Sequence, residues 1–285
     1  VSDARVTLLG VKGGPAIRPG SPMPTSHLVR MGGCTVVVDA GLGVSAGIVA
    51  QGVALTEIDA IYVTHLHSDH YLELGPLLHT AWTAGLDRPV TVVGPAGLAA
   101  YFDGFWAAMA HDIELRLADE GRPDIRGMVD LHALGDGPAP APGGLSVRAM
   151  RNAHPPISDS FALRVEDASR VIVFSGDTAA MHGMIDFARG ADLLVHEAML
   201  TAGVDALCAR VGNGDDRLRR HLLRSHCPAS QAARIAREAG VRVLALNHLI
   251  PSDDPDYTAD HWHAEVTREF AGDARLGRDG MTIEI

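Results

Sequence analysis

The sequence predicts an α/β fold, and three observations carry that prediction. Strand-like apolar runs and helix-like segments alternate from one end of the chain to the other. A hydrophobic content of 47% over 285 residues is ample for a packed core, whether in one large domain or two small ones. Five of the apolar runs stop at an acid or an imidazole, namely His65, His154, Asp177, Glu197 and His248. Sites in α/β proteins form at the carboxyl ends of strands, whereas chance would scatter such residues over both ends.

The elements follow in order. Val6–Gly10 reads as a first strand and runs into a loop rich in Gly and Pro, from Val11 to Pro24. His27 opens a second strand, His27–Arg30, and is assigned to packing. Thr35–Val38 is a third, ending in Asp39-Ala40-Gly41. The run Ala60–Val63 leads into Thr64-His65-Leu66-His67-Ser68-Asp69-His70, where three imidazoles and a carboxylate fall within six residues. With Ile61–Thr64 extended, alternate side chains share a face, so His65 and His67 converge on one point. Asp69 and His70 lie past the turn and face a second point close by. Neutral imidazole and carboxylate are the ligands zinc takes where thiolate is absent.

Val90–Val93 is a further buried strand. From Gly97 to about Ala118 the pattern is helical, with Leu98, Tyr101, Phe102, Phe105, Trp106 and Met109 at three- and four-residue spacings that assign this stripe to core packing. His79, His111 and His132 have no companion ligands nearby and are read as structural or exposed. Gly135–Gly144 reads as a loop. Leu145–Arg151 alternates and ends at Asn152-Ala153-His154, with Phe161–Val165 as its neighbour. Val171–Phe174 runs into Ser175-Gly176-Asp177, where glycine permits a close backbone approach. Asp192–Ala198 carries His196-Glu197. The helix after His226-Cys227 has Pro228 in its first turn, Ala232, Ile235, Ala236 and Ala239 on one face, and Gly240 as its stop. Val241–Leu246 is a strand closed by Asn247-His248. A helix over Ala259–Phe270 puts His261 and His263 in solvent, and Met281–Ile285 is an edge strand.

Composition narrows the function. A net charge of −11, with Lys12 the only lysine, argues against a nucleic-acid partner. The densest basic run, Arg217-Leu218-Arg219-Arg220, follows Asp215-Asp216 and reads as a solvated helix face. No apolar run is long enough to span a bilayer, and no leader is visible at Val1. Cys34, Cys208 and Cys227 are odd in number and unpaired in spacing, which points to a reducing cytoplasm, with Cys227 structural.

The stretch His65-x-His67-x-Asp69-His70 resembles the signature of the metallo-β-lactamase superfamily of metal-dependent hydrolases. The resemblance implies a four-layer αβ/βα sandwich, two facing mixed sheets with outer helices. It implies a single domain over 1–285, with insertions covering the pocket near 97–135 and 200–225. It also implies that His65, His67 and His154 hold one metal, that Asp69, His70 and His248 hold the other, and that Asp177 bridges them. Asp39 would support the histidines from behind. The metals would be two zinc ions, with Mn2+ or Fe2+ as alternatives. Glu73 stands where the family usually has glycine, and Lys12 would lie beside the pocket mouth as a contact for an anionic substrate.

The run His196-Glu197-Ala198 resembles the tRNase Z and arylsulfatase-like branch, whose glutamate pairs with a histidine opening the next helix, here His226. In such a site a metal-bridging hydroxide attacks an ester-type bond (phosphodiester, sulfate ester or lactone) or a cyclic amide in a small molecule. Asp69 would orient the nucleophile, and His226, held by Glu197, would act on the leaving oxygen. A tRNase Z-like nuclease is the alternative, though the long basic, glycine-rich arm that grips tRNA is missing from the sequence. A redox di-iron protein is disfavoured, since those relatives place Glu where His67 stands, and a metal-bound sensor without catalysis is the remaining reading. Members of this branch often dimerise, which implies a homodimer.

Overall fold

In the computed structural model, which describes residues 4–285, the strands form two seven-stranded sheets. The first contains β1 (Arg5–Gly10), β2 (Ser26–Met31), β3 (Cys34–Ala40), β4 (Ala60–Tyr62), β5 (Val90–Gly94) and β6 (Val129–Ala133). The second contains β7 (Gly137–Ala139), β8 (Ser146–Arg151), β9 (Phe161–Glu166), β10 (Val171–Phe174), β11 (Leu193–Met199), β12 (Val243–Ile250) and β13 (Asp273–Leu276). The chain then returns to the first sheet, where β14 (Met281–Glu284) lies antiparallel beside β1 at the edge. The two sheets share one plan. Antiparallel strands occupy one half, and the strands β3–β6 and β10–β13 run parallel in the other.

Helices cover the outer faces. α1 (Val44–Ala50), α2 (Ser68–Tyr71), α3 (Leu74–Thr83) and α4 (Leu98–Glu120) follow strands of the first sheet. α5 (Gly183–Phe187), α6 (Val204–Val211), α7 (Arg217–Ser225), α8 (Ala229–Ala239) and α9 (Ala259–Thr267) follow strands of the second. Strand periodicity assigns side chains to layers. On β3, Val37 joins Val44, Ile48, Leu77 and Trp82 in the core under the outer helices. Its neighbours Val36 and Val38 point the other way, into the larger core shared with Phe161, Leu163, Ile172 and the α8 face of Ala232, Ile235 and Ala236. Four layers result, as the resemblance implies.

The aromatic stripe of α4 packs as expected, with Phe102 buried and Tyr101, Trp106 and Met109 against the same outer core. Glu73 has a structural task. Its carboxylate accepts the backbone N–H groups of Gly43 and Ser45, capping the start of α1 where the chain offers free donors. Two expectations need correction. The Gly- and Pro-rich run Gly135–Gly144 contains the edge strand β7, paired with β8, because an edge strand needs donors on one side only. And β12 does not stop before Asn247 but continues through His248 to Ile250, with a register shift between Glu197 and Ala198 on its neighbour β11. Among the described residues no helix is long and apolar enough to cross a membrane.

Phe161 is fully buried in the larger core, and its backbone N–H bridges to the carbonyl of Thr64, 3.1 Å away, just before the histidine cluster. We expect Phe161→Ala to cost about 3–5 kcal/mol of stability in urea denaturation; a cost under about 1 kcal/mol would mean that this core rearranges around the gap.

Candidate metal centre

The ends of β4, β8, β10, β11 and β12 meet at one rim. Three overlapping groups of side chains bring their donor atoms within 4.8 Å of one another there: His65, His67, His154 and Asp177; Asp69, His70 and His248; and Asp177, His226 and His248. Apart from His67, which is half-buried, these side chains are almost wholly shielded from solvent.

Hydrogen accounting fixes which ring nitrogen faces the centre. Thr64 offers its hydroxyl to the Asp39 carboxylate at 3.0–3.1 Å. Its oxygen can therefore only accept from His65 Nδ1 at 3.1 Å. His70 Nδ1 donates to Asp39 Oδ2 at 2.7 Å, and His154 Nδ1 donates to the carbonyl of Ser225 at 3.0 Å. Neutral rings so committed carry lone pairs on Nε2. Those lone pairs face each other and the carboxylates. His65 Nε2 and His154 Nε2 lie 3.1 and 3.0 Å from His67 Nδ1. His70 Nε2 lies 3.3 Å from Asp177 Oδ1 and 3.6 Å from Asp69 Oδ2, and His248 Nε2 lies 3.0 Å from Asp177 Oδ2 and 3.2 Å from Asp69 Oδ2.

Buried lone pairs that converge without protons between them are costly. His70 Nε2 and Asp177 Oδ1 are buried and make no hydrogen bond. A small cavity of about 20 Å³, lined in part by His70, Asp177 and His248, adjoins them. Divalent cations satisfy such an arrangement, and the donor set of imidazole nitrogens and carboxylate oxygens suits zinc. The residues present therefore fit a binuclear metal site.

Protons show the same demand. Burial opposes charging His70, but the carboxylates of Asp177, Asp39 and Asp69 drive its pKa well above the usual imidazole value. Burial and the neighbouring His70 push His65 well below that value, and burial with His154 brings His67 down to about 4. Burial would raise Asp177, yet His248, His70 and His65 hold it well below the usual carboxylate range.

Backbone geometry aims these groups. Asp39 and His248 have positive φ, 60° and 43°, a strained choice for residues with side chains. Gly176 has φ 57°, and a Cβ there would lie 2.5 Å from the carbonyl of Phe161; only glycine lets β10 hand over to Asp177 at this spacing. Gly14 in the long N-terminal loop donates its N–H to Asp69 Oδ2 at 2.8 Å.

Beside the centre stands a second pair. His226 Nδ1 lies 3.1 and 3.2 Å from the two oxygens of Glu197, which also accepts the N–H groups of Cys227 and Thr178. Burial lowers the pKa of His226, but Glu197 raises it to about 9. A ring nitrogen of His226 lies within 4.8 Å of the donor atoms of Asp177 and His248, and Nε2 is the one that the Glu197 hydrogen bond leaves free.

All nine residues singled out at this rim, together with Asp39, are thus brought together. Lys12 is not available as expected: it is buried, with its ammonium 3.4 Å from Ser252 Oγ and 3.7 Å from Asp253. Residues that sequence reasoning passed over are Thr64, Gly14, Ser225 and His221. The ring of His221, on α7, lies 6.1 Å from those of His67 and His154 and 5.8 Å from that of His226. The signal available was its helical spacing from Ser225, four residues on, just ahead of His226.

Comparison with known proteins agrees with this geometry. Residues 5–247 match the family described as anti-Pycsar protein Apyc1. A ribonuclease Z from Mycobacterium sp. strain KMS is 35% identical over 291 residues, covering 98% of this chain and 95% of its own. Among solved structures, the metallo-β-lactamase fold protein YhfI from Bacillus subtilis superposes with a TM-score of 0.73 at 23% identity, covering 99% of this chain and all of its own. The short form of human tRNase Z gives 0.68 at 22% identity, with 98% of each chain covered.

Two outcomes follow for metal binding. Asp39→Ala removes the acceptor shared by His70 and Thr64 and should weaken metal affinity about 10–100-fold, read by competition with a chelating dye while circular dichroism stays native. Because protons compete with the ions for His70, whose pKa lies well above the usual imidazole value, affinity should already fall as pH drops through neutrality, and fall further as His67 charges near about 4. Unchanged affinity between neutral pH and pH 5 would assign the ions elsewhere.

Proposed function

The chain belongs to the metallo-β-lactamase-fold family of metal-dependent hydrolases that includes the anti-Pycsar protein Apyc1 and ribonuclease Z, and from that premise we propose that it is a dinuclear zinc phosphodiesterase acting on a small phosphodiester, such as a cyclic nucleotide. The observation that carries the proposal is the convergence of three donor groups linked through Asp177 and His248, with Glu197 holding His226 at their edge. Bound divalent ions would supply Lewis acidity, lowering the pKa of water and polarising a phosphoryl oxygen.

The chain's own residues do the rest. His65, His67 and His154 would hold one ion and Asp69, His70 and His248 the other, with Asp177 between. Asp69, anchored at one oxygen by the Gly14 N–H, orients the attacking water and takes its proton. Glu197 accepts from His226 Nδ1 and fixes the ring, so that Nε2–H faces the reacting centre. From there it stabilises charge on the phosphoryl group and protonates the departing oxygen. Burial of the rim excludes bulk water and strengthens each of these interactions.

The charge pattern supports a small substrate over tRNA. Three of the four arginines of α7 are matched to acids: Arg217 to Asp215, Arg219 to Asp205 and Arg220 to Asp216. The one lysine is buried against Asp253. A surface so balanced offers little to a polyphosphate backbone. Processing of tRNA is the second reading, and the 35% identity to a ribonuclease Z over nearly the full length favours it.

The test is metal analysis followed by assays on cyclic nucleotides, bis(p-nitrophenyl) phosphate and precursor tRNA. We expect two ions per chain, turnover of the small phosphodiesters and little cleavage of tRNA. His226→Ala should lower turnover about 10²–10⁴-fold with both ions retained. Rapid cleavage of precursor tRNA alone would reverse the order of the two readings, and ion loss in the variant would make His226 a ligand.

A further inference from the structure

α7 supplies no member of the converging donor groups, yet it reaches the rim at two points. The carbonyl of Ser225 accepts from His154 Nδ1. One turn earlier, the half-buried ring of His221 stands edge-on to the rings of His67 and His226, with interplanar angles of 85° and 89°. His221 belongs to none of the groups whose donor atoms converge. It sits beside the centre without being part of it.

Its proton can be placed. The Ser225 hydroxyl has a single hydrogen, and at 2.5 Å from the carbonyl oxygen of Pro155 that hydrogen is committed, because a carbonyl only accepts. Ser225 Oγ is also 3.4 Å from His221 Nδ1, and toward that nitrogen it can only accept. Nδ1 therefore carries the hydrogen. A neutral ring then presents a lone pair at Nε2, which has no hydrogen-bond partner among the described residues. The rim thus gains an acceptor, standing among groups otherwise concerned with cations and a leaving oxygen.

We propose that His221 is a specificity-determining residue whose Nε2 accepts a hydrogen bond from a hydroxyl or amino group on the organic part of the substrate. The inference rests on the small-phosphodiester reading above. The phosphoryl group of a diester has only acceptor oxygens, so it cannot be what an acceptor nitrogen recognises. A donor must come from the rest of the molecule. In a nucleotide the sources are the sugar hydroxyl next to the ester and the exocyclic amine of the base. His221 would make the site read the sugar or base while the metals and His226 act on phosphorus.

The experiment uses the metal-loaded full chain as wild type, His221→Ala and His221→Gln, with adenosine 3′,5′-cyclic monophosphate, its 2′-deoxy counterpart and its inosine counterpart. The wild type should favour the adenosine compound by about three- to tenfold over whichever counterpart lacks the recognised donor, the worth of one hydrogen bond. The effect should lie mainly in KM. Loss with the 2′-deoxy compound assigns the sugar hydroxyl; loss with inosine assigns the base amine. His221→Ala should abolish the preference with metal content unchanged, and His221→Gln, which keeps an acceptor oxygen, should restore part of it. Calorimetry with the corresponding phosphorothioate analogues should show the same ratio in affinity, independent of turnover. No preference in the wild type, an equal preference in His221→Ala, or loss of an ion from that variant overturns the inference. If wild type with two ions also fails to cleave bis(p-nitrophenyl) phosphate, the phosphodiesterase reading itself falls and takes this one with it; cleavage without the selective effect sinks only the role of His221.

Discussion

The constraint on which this molecule depends is a shortage of protons at the rim. His65, His70 and His154 each direct Nδ1–H backward, to Thr64, Asp39 and Ser225. What remains facing inward is a set of lone pairs and carboxylate oxygens at separations near 3 Å. In a dry interior such a set repels itself unless positive charge lies between its members. The backward bonds are therefore as much a part of the site as the donors. They fix the tautomers, and the tautomers create the demand for cations. The strained backbone at Asp39 and His248 is tolerated for the same reason, since both residues belong to this network.

The two-sheet plan explains why donors from so many segments can meet. Each sheet carries its parallel strands on the same half, and parallel strands end together. The first sheet delivers the cluster from Thr64 to His70 as a nearly contiguous block. The second delivers His154 and Asp177 from just past the ends of β8 and β10, and Glu197 and His248 from within the last three residues of β11 and β12. His27 and Asn247 join the two beneath the rim: Asn247 Nδ2 donates to His27 Nε2 at 2.8 Å, while His27 Nδ1 donates to the carbonyl of Val38 at 3.1 Å. Burial, the largest influence on His27, brings its pKa down to about 4, so the ring remains neutral and can accept from Asn247.

Most of this was legible in the sequence because its signals are local. A run of β-branched residues that stops at a charged or imidazole side chain marks both a buried strand and a functional end, as at Val63–His65 and Phe174–Asp177. Three kinds of feature were not legible. Edge strands such as β7 lack the apolar alternation that burial imposes, so Gly137–Ala139 looks like loop. Bonds made by the backbone, such as Gly14 N–H to Asp69 or the Ser225 carbonyl to His154, leave no trace in residue type. And His221 sits among arginines in a polar helix, where only the folded chain reveals which face looks inward. Glu73 illustrates the reverse, a residue conspicuous in the sequence whose task proves to be capping a neighbouring helix.

The return of the chain to its first sheet has a bearing on how the molecule is made. β1 is flanked on one side by β2, less than thirty residues away, and on the other by β14, where Val6 faces Ile283. On a ribosome the second sheet can gather strand by strand, whereas the first keeps a bare flank until residues 281–284 have emerged. Nascent chains thus pass through a long interval with β1 exposed to intermolecular pairing. A holding chaperone or a brisk rate of elongation would matter more here than in a sheet built from consecutive strands.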